Sequence, residues 1–498
     1  MRKRLFSIIS AICIGVFSVG CNSDNTQDNK KETNAVEDNT ENIQQEQLSD
    51  DEKLFNEMFD INTYVKIEID ISNEELAKIE EDYVVYRSKG SKSPIYRMAD
   101  KVTITVGDDV YEIEEVGIRM KGNTSRTSFY SEEKGMYELV HFRLSFDETF
   151  DNPDYYGADV KVWASEEEKL EREKRDFATL SGLELKWNKN FDTTYVREVY
   201  ANDMFRDFGL MSQHCTPSNI VLAGTNMGVW NIYEPVDKKF IKKYYGKDAD
   251  IGDLYKAAWP ASYGSWPNYG VEDEDAGKNY VYDLKTNKKT SDHSLFKNMI
   301  NVVNDRNATQ ENYETVLDAK DWIMFNAVSY FAGNPDDFRN NYNNHYVYLQ
   351  PDGKARFITY DNDRVFGVTV DWNPEGTGMT AVSPFSQLAD GLGRFQENPI
   401  IRNTILDEDG FYYDEYKSAL EEVASSKWLT NEYFITYYEA TKKNYESCVK
   451  PDNSYDNANK EDFKFSMDGE YYADTDNNMS FEQYIERKME TYNEAIAE

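Results

Sequence analysis

The sequence predicts an α+β protein, strand-rich in its first half and helix-rich in its second. Two observations carry that reading. Period-two alternation opens the folded region, where Val65, Ile67, Ile69 and Ile71 are separated by Lys66, Glu68 and Asp70. Longer apolar patterns of helical period dominate from Leu295 onward. Segregated strands and helices of this kind argue against a doubly wound parallel sheet, and no internal repeat interrupts the pattern.

In chain order, the first segment predicts export. Arg2, Lys3 and Arg4 precede an apolar run from Leu5 to Val19, too short for a comfortable membrane span. Gly20 and Cys21 follow, and a small residue before cysteine has the form of a lipobox. Residues 1–20 are thus expected to be a signal peptide and Cys21 a lipidated first residue, although Ser18 stands where leucine is usual. Plain secretion is the simpler alternative. From Asn22 to Lys53 the chain holds ten acids, three lysines and four aliphatic residues, too little apolar surface to offset ordering entropy. Residues 21–53 are therefore expected to be a disordered acidic tether, with the folded domain spanning residues 54–498.

Ser72 and Glu75 have the spacing of a capping box opening a short helix. Strands are expected at Val102–Val106, Tyr111–Met120 and Tyr137–Phe146, then a helix from Thr193 to Phe208 that Asp192 opens and Gly209 ends. A hairpin turning at Gly224-Thr225-Asn226 joins Asn219–Ala223 to Gly228–Tyr233. Helices are expected at Leu295–Val303 and Ala319–Ala332, with another hairpin about Pro351-Asp352-Gly353-Lys354. Beyond Phe385 the chain reads as helical and polar.

A net charge of −37 excludes nucleic acid as an expected partner, since phosphate contacts need clustered cations. Direct membrane binding is disfavoured for the same reason, leaving a lipid anchor as the expected membrane link. The outer face of the membrane, or alternatively a secreted or spore-associated state, is the expected location. Cys215 and Cys448, far apart in sequence, are as well explained as buried thiols as by a disulfide. GxSxG, HExxH, Walker A and GxGxxG motifs are missing, and none of the four histidines has metal-ligand spacing to another.

What remains is polar clusters at strand ends. Arg119-Met120-Lys121-Gly122-Asn123-Thr124-Ser125-Arg126 closes a strand with cations and a turn whose N–H groups suit phosphate oxygens, or else forms an ordinary basic turn. Glu234 ends an otherwise apolar strand. Asn334-Pro335-Asp336-Asp337 is followed by Asn340, Asn341, Asn343 and Asn344, and Tyr360-Asp361-Asn362-Asp363 follows the next strand. Carboxylates beside carboxamides make a hard oxygen site suited to Mg²⁺ or Mn²⁺; Asx turns are the plainer explanation for either cluster alone.

The runs VGIRMKGNTSR, DTTYVREVYANDMFRDFGL, GVWNIYEPVDKKFIKKYYG, GDLYK, NPDDFRNNYNNHYVYL and ITYDNDRVFG occur in the order found in CotH proteins. Over residues 60–440 the chain resembles that family of atypical protein kinases, named for a spore-coat protein. The resemblance implies a kinase-like fold, ATP with Mg²⁺ or Mn²⁺, and a protein substrate. It implies that Asp336 orients the acceptor hydroxyl or binds metal, that Asp361 holds metal with Asp363 supporting it, and that Asn344 or, by HRDxxxxN spacing, Asn341 assists. Tyr360 stands where the family commonly has tryptophan. Glu234 would pair with a phosphate-binding lysine, which chain order gives as Lys121, with Lys256 and Lys285 as alternatives and Arg119 nearby. A catalytically inactive structural protein is one competing reading. A carbohydrate-binding surface protein is another, prompted by Trp259, Tyr263, Trp266 and Tyr269, though a loop covering its own core explains those aromatics as well.

Overall fold

The computed structural model describes residues 48–369, 379–386, 398–468 and 479–497. The signal-like run and Cys21 lie outside them. Folded backbone begins ahead of the expected boundary: Ser49 accepts from the Glu52 N–H and caps the helix Asp50–Met58.

Seven strands close a barrel in the order β1-β2-β3-β6-β7-β9-β8. They are β1 (Val65–Asp70), β2 (Arg97–Val106), β3 (Asp109–Lys121), β6 (His141–Ser145), β7 (Gly182–Trp187), β8 (Cys215–Leu222) and β9 (Thr225–Tyr233), with β4 (Tyr130–Ser131) and β5 (Gly135–Met136) forming a separate ribbon. β1 pairs antiparallel with β2 and parallel with β8. The alternation read from the sequence is the pleat: Val65, Ile67 and Ile69 point into a core with Val102, Ile104, Leu144, Leu185 and Trp230.

Several local expectations shift, and the strand expected from Tyr137 begins only at His141. The helix capped by Ser72 runs from Asn73 to Ser88, long rather than short, and the Glu75 carboxylate bonds Lys78 and the Met98 N–H instead of closing the box. The helix expected from Thr193 begins at Arg197, because Asp192 accepts from the N–H groups of Thr194 and Arg197 and holds the intervening residues in a turn. The β8–β9 turn is Ala223-Gly224, both at positive φ, one residue before the expected turn.

A five-stranded sheet, ordered β11-β12-β10-β13-β14, stands against the helices. Its strands are β10 (Asp253–Ala257), β11 (Tyr269–Gly270), β12 (Tyr282–Leu284), β13 (His345–Leu349) and β14 (Ala355–Thr359). The helices Ser294–Val303 and Ala319–Ala332 fall where expected and bury Phe296, Met299, Trp322, Phe325 and Phe331. The carboxyl-terminal region is less polar in effect than in composition. The helices Tyr413–Ala424, Asn431–Tyr445 and Phe481–Ala497 bury Tyr416, Phe434, Phe481 and Tyr484, with Phe434 stacked on Phe481 at 3.9 Å. Cys215 and Cys448 are free thiols, the first buried. No helix among the described residues is long and apolar enough to cross a membrane.

Candidate active site

The site begins on β7. Leu183, Leu185 and Trp187 enter the barrel core, so strand alternation turns Glu184 and Lys186 to the opposite face. There the Lys186 ammonium lies 2.8 Å from Glu198, on the helix Arg197–Asp207, and 2.5 Å from Asp361, just after β14. The Tyr233 hydroxyl donates to the other Glu198 oxygen, and its ring lies under Lys186 at 4.5 Å. Burial disfavours charge at Asp361, but Lys186 and then Lys121 outweigh it and hold the carboxyl far below the usual range. Burial and the charge of Asp361 push the Asp363 carboxyl up to about 7. A cavity of about 30 Å³ lies beside this group, lined by Lys186, Asn188, Glu198, Asn231 and Asp363 among others.

Lys186 and Glu198 are not among the residues picked from the sequence. Lys186 could have been found from the alternating run Gly182-Leu183-Glu184-Leu185-Lys186-Trp187, which is a strand by the same criterion as β1. Glu198 lies inside one of the runs that carry the resemblance.

Glu234 is a correction. It pairs with none of the candidate lysines: its carboxylate accepts from the backbone N–H and Nδ1 of His214 and lies 2.7 Å from Lys243. Tyr233 faces Glu198, so the pleat turns Glu234 to the other side of β9. Burial lowers the His214 imidazole below its ordinary value, the Glu234 carboxylate opposing it, while on Glu234 the charge of His214 acts first and that of Lys243 after it. These contacts overcome burial and bring Glu234 down to about 2. Its stabilisation, on the order of 3 kcal/mol by linkage, is present above the ordinary glutamate value and is lost as pH falls towards 2. Urea unfolding from pH 6 to pH 2 is expected to show wild type losing more stability than Glu234→Gln. Equal losses would contradict this role.

The other candidate cations separate. Lys121 pairs with Glu184 at 2.7 Å and donates to the Tyr360 hydroxyl at 2.9 Å. Arg119 stacks on Tyr96 and donates to the Ser93 carbonyl, so it ties β3 to the segment leading into β2. Lys256 lies over Tyr360, and Lys285 pairs with Asp283 and Glu272. The basic turn itself approaches the site: Lys189, three residues after Lys186, donates to Thr124 at 2.8 Å. Gly122, at φ +99°, admits no side chain, since a Cβ would lie 1.9 Å from the Ser125 hydroxyl.

The helix Ala319–Ala332 ends at Gly333, whose left-handed φ of +60° lets the chain pass Tyr484. Asn334 then donates to the Asp361 carbonyl at 3.2 Å, tying the two acidic loops together. Asp336 accepts from three carboxamides: Asn341, Asn343 at 3.0 Å and Asn344 at 3.0 Å. Burial raises its carboxyl above the ordinary value. Asp337 instead caps the short helix Phe338–Asn341, accepting from the Asn340 N–H at 2.8 Å.

Among the described residues no three His, Cys, Asp or Glu side chains gather tightly enough to make a metal centre by themselves. The donor set still suits a hard cation that shares its ligands with phosphates. With its amide nitrogen held by Asp336, Asn341 leaves a buried Oδ1 without a hydrogen-bond partner, and Asp361 supplies the carboxylate. Asn344 is oriented by the same aspartate but sits at φ +46°. The loop with Trp259 and Tyr263 adjoins this segment through the Trp259 N–H, which donates to Asn343 Oδ1 at 2.8 Å. Tyr263 is buried as a core-covering loop requires, whereas Trp259 and Trp266 are 56% and 96% exposed.

A barrel strand supplying a lysine, a helix supplying its glutamate, an acidic loop after a long helix and an aspartate after a hairpin are the parts of a protein-kinase-like fold, in kinase chain order. The family model described as CotH kinase protein matches residues 149–492, most of the chain, and the protein belongs to that family. Among curated proteins none matches the chain.

Proposed function

We propose that the protein is an extracytoplasmic kinase that transfers the γ-phosphate of ATP to protein hydroxyls, in surface or spore-coat assembly. The observation that carries this reading is the contact of Lys186 with both Glu198 and Asp361, one hydrogen-bonded loop away from Asp336. Lys186, oriented by Glu198, would bind phosphate oxygens. Asp336, held by its three asparagines, would orient the acceptor hydroxyl and receive its proton. Asp361 and Asn341, with Asp363 beside them, would hold Mg²⁺ or Mn²⁺; Asn344 is the alternative carboxamide. Such an ion, when bound, neutralises charge on the phosphates.

Mass spectrometry of the protein with ATP and Mn²⁺ is expected to find incorporated phosphate. ATP with Mg²⁺ is expected to raise the melting temperature more than ATP with a chelator, because the acidic loops repel nucleotide until a cation screens them. Equal stabilisation without metal would remove Asp361 from its role. The reading as an inactive, carbohydrate-binding surface protein draws on exposed Trp259 and Trp266. It gains if no phosphate is incorporated and oligosaccharides quench tryptophan fluorescence. Lipidation of Cys21 belongs to the same proposal: a palmitate analogue should label wild type and not Cys21→Ala.

A further inference from the structure

We propose that Lys256, which meets Lys121 at the side chain of Tyr360, forms a phosphate-binding subsite beside the Lys186–Glu198–Asp361 group. The kinase reading enters only in saying what that phosphate belongs to. Lys256 stands on β10, in register with Tyr346 of β13 and Asp283 of β12. Its ammonium lies 4.0 Å from the centre of the Tyr360 ring and 5.7 Å from that of Tyr346. Lys121 reaches the same phenol from the barrel, with Nζ 2.9 Å from the hydroxyl. Two ammonium groups from opposite walls thus converge on Tyr360.

The carboxylates nearby are already committed. Glu184 lies 2.7 Å from Lys121 and 3.8 Å from Arg143. Asp283 pairs with Lys285, with Glu272 3.8 Å from the same ammonium. Among the described residues no carboxylate lies within ion-pair distance of Lys256. Burial, and after it the charges of Lys121 and Lys92, hold the Lys256 amine well below the ordinary lysine value, with Glu184 opposing them. A partly buried ammonium without a counter-ion, facing other cations, is costly to hold, and an anion between the two walls removes that cost. The phenol fits the same ligand. Tyr360 Oη accepts from Lys121, and no described residue accepts its proton, so its O–H remains to be donated to an oxyanion.

Glu184, the partner of Lys121, precedes Lys186 by two residues on one strand face, which makes the subsite a neighbour of Lys186. In that position the phosphate is either part of the nucleotide's own chain or a phosphoryl group already on the acceptor. The chemistry is the same, and the two sources can be told apart by experiment.

Binding to the whole protein is measured by calorimetry and thermal shift, with chelator and without acceptor, using tripolyphosphate in one arm and a phosphoserine peptide in the other. Wild type is expected to bind one of them, Lys256→Met to bind it at least tenfold more weakly, and Lys256→Arg to retain most of the affinity. Dependence in the tripolyphosphate arm assigns the subsite to the nucleotide; dependence in the peptide arm assigns it to the acceptor. Without anion, Lys256→Met should melt at or above the wild-type temperature. Should that variant not fold, acetylation of Lys256 in wild type, followed by mass spectrometry, is expected to slow at least threefold when the bound probe is present. Unchanged affinity in the variant, no binding of either probe by wild type, or unprotected Lys256 would overturn the proposal. Because neither readout needs phosphate transfer, a protein that transfers none but binds through Lys256 would sink the kinase reading and leave this subsite standing.

Discussion

Lys186→Met is expected to lower phosphate transfer by at least about 10²-fold, the usual cost of removing one electrostatic contact to a developing charge. It is also expected to destabilise the fold, by about 1–3 kcal/mol, since Glu198 is buried and Asp361 partly exposed. Its ammonium separates Glu198 from Asp361, at 2.8 and 2.5 Å, with Asp363 close by. Methionine keeps much of the volume but leaves the buried Glu198 carboxylate facing the part-exposed Asp361 with no cation between them, and removing one partner of a buried pair is damaging. The pH dependence follows from the sign of the shift. In wild type Asp361 is depressed, so its stabilisation is present above the ordinary aspartate value and is lost on acidification. Without Lys186, burial and repulsion raise the carboxyls, so the variant gains stability as protons bind. Chemical denaturation at pH 8 and pH 5 should show the gap between variant and wild type narrowing at the lower pH. A constant gap would mean that Lys186 does not hold these carboxylates, and full activity would remove it from the site.

The second large effect is expected at Asp336. Asp336→Asn removes the proton acceptor from the loop and should cost between about 10² and 10⁴ in rate, the range for general base catalysis. The shape of the loop should survive, because Asn341, Asn343 and Asn344 can turn their amides to a carboxamide partner. Asp337→Asn, one residue on, should leave the rate within a few-fold. Asp337 is a helix cap whose carboxyl burial has pushed up to about 7, and asparagine caps as well as aspartate. Initial rates of the two variants at saturating ATP decide between them. If Asp337→Asn is the inactive one, the fold stands and the assignment of the acceptor-facing aspartate is wrong by one residue.

Much of the architecture is legible before any tertiary contact is known. The alternation at Val65–Ile71, the apolar helix Ala319–Ala332 and the turn at Pro351-Asp352-Gly353-Lys354 fall where local pattern puts them, because a pleat, a helical stripe and a turn are each set by residues a few positions apart. Boundaries fail where a side chain reaches back to the backbone, as Asp192 does in delaying its helix to Arg197. The carboxyl-terminal helices read as polar because their buried aromatics, Phe434 and Phe481 among them, find each other only after the chain has folded.

The site divides in the same way. The sequence by itself determined the α+β class, the family through its ordered runs, and the two acidic loops, since Asp336 and Asp361 sit in short segments dense in carboxylates and carboxamides. Only the tertiary structure decided which cation meets them. Lys121, Lys256 and Lys285 are alike in sequence, and Lys186 stands out no more than they do; what separates them is which strand face each occupies and what lies opposite. Glu198 is 12 residues from Lys186 and Asp361 is 175, and no local pattern encodes a contact across such separations. Glu234 was misread for the matching reason. A one-residue step along β9 exchanges the face that meets Glu198 for the face that meets His214 and Lys243, and the pleat, not the composition of the strand, determines which residue takes which face.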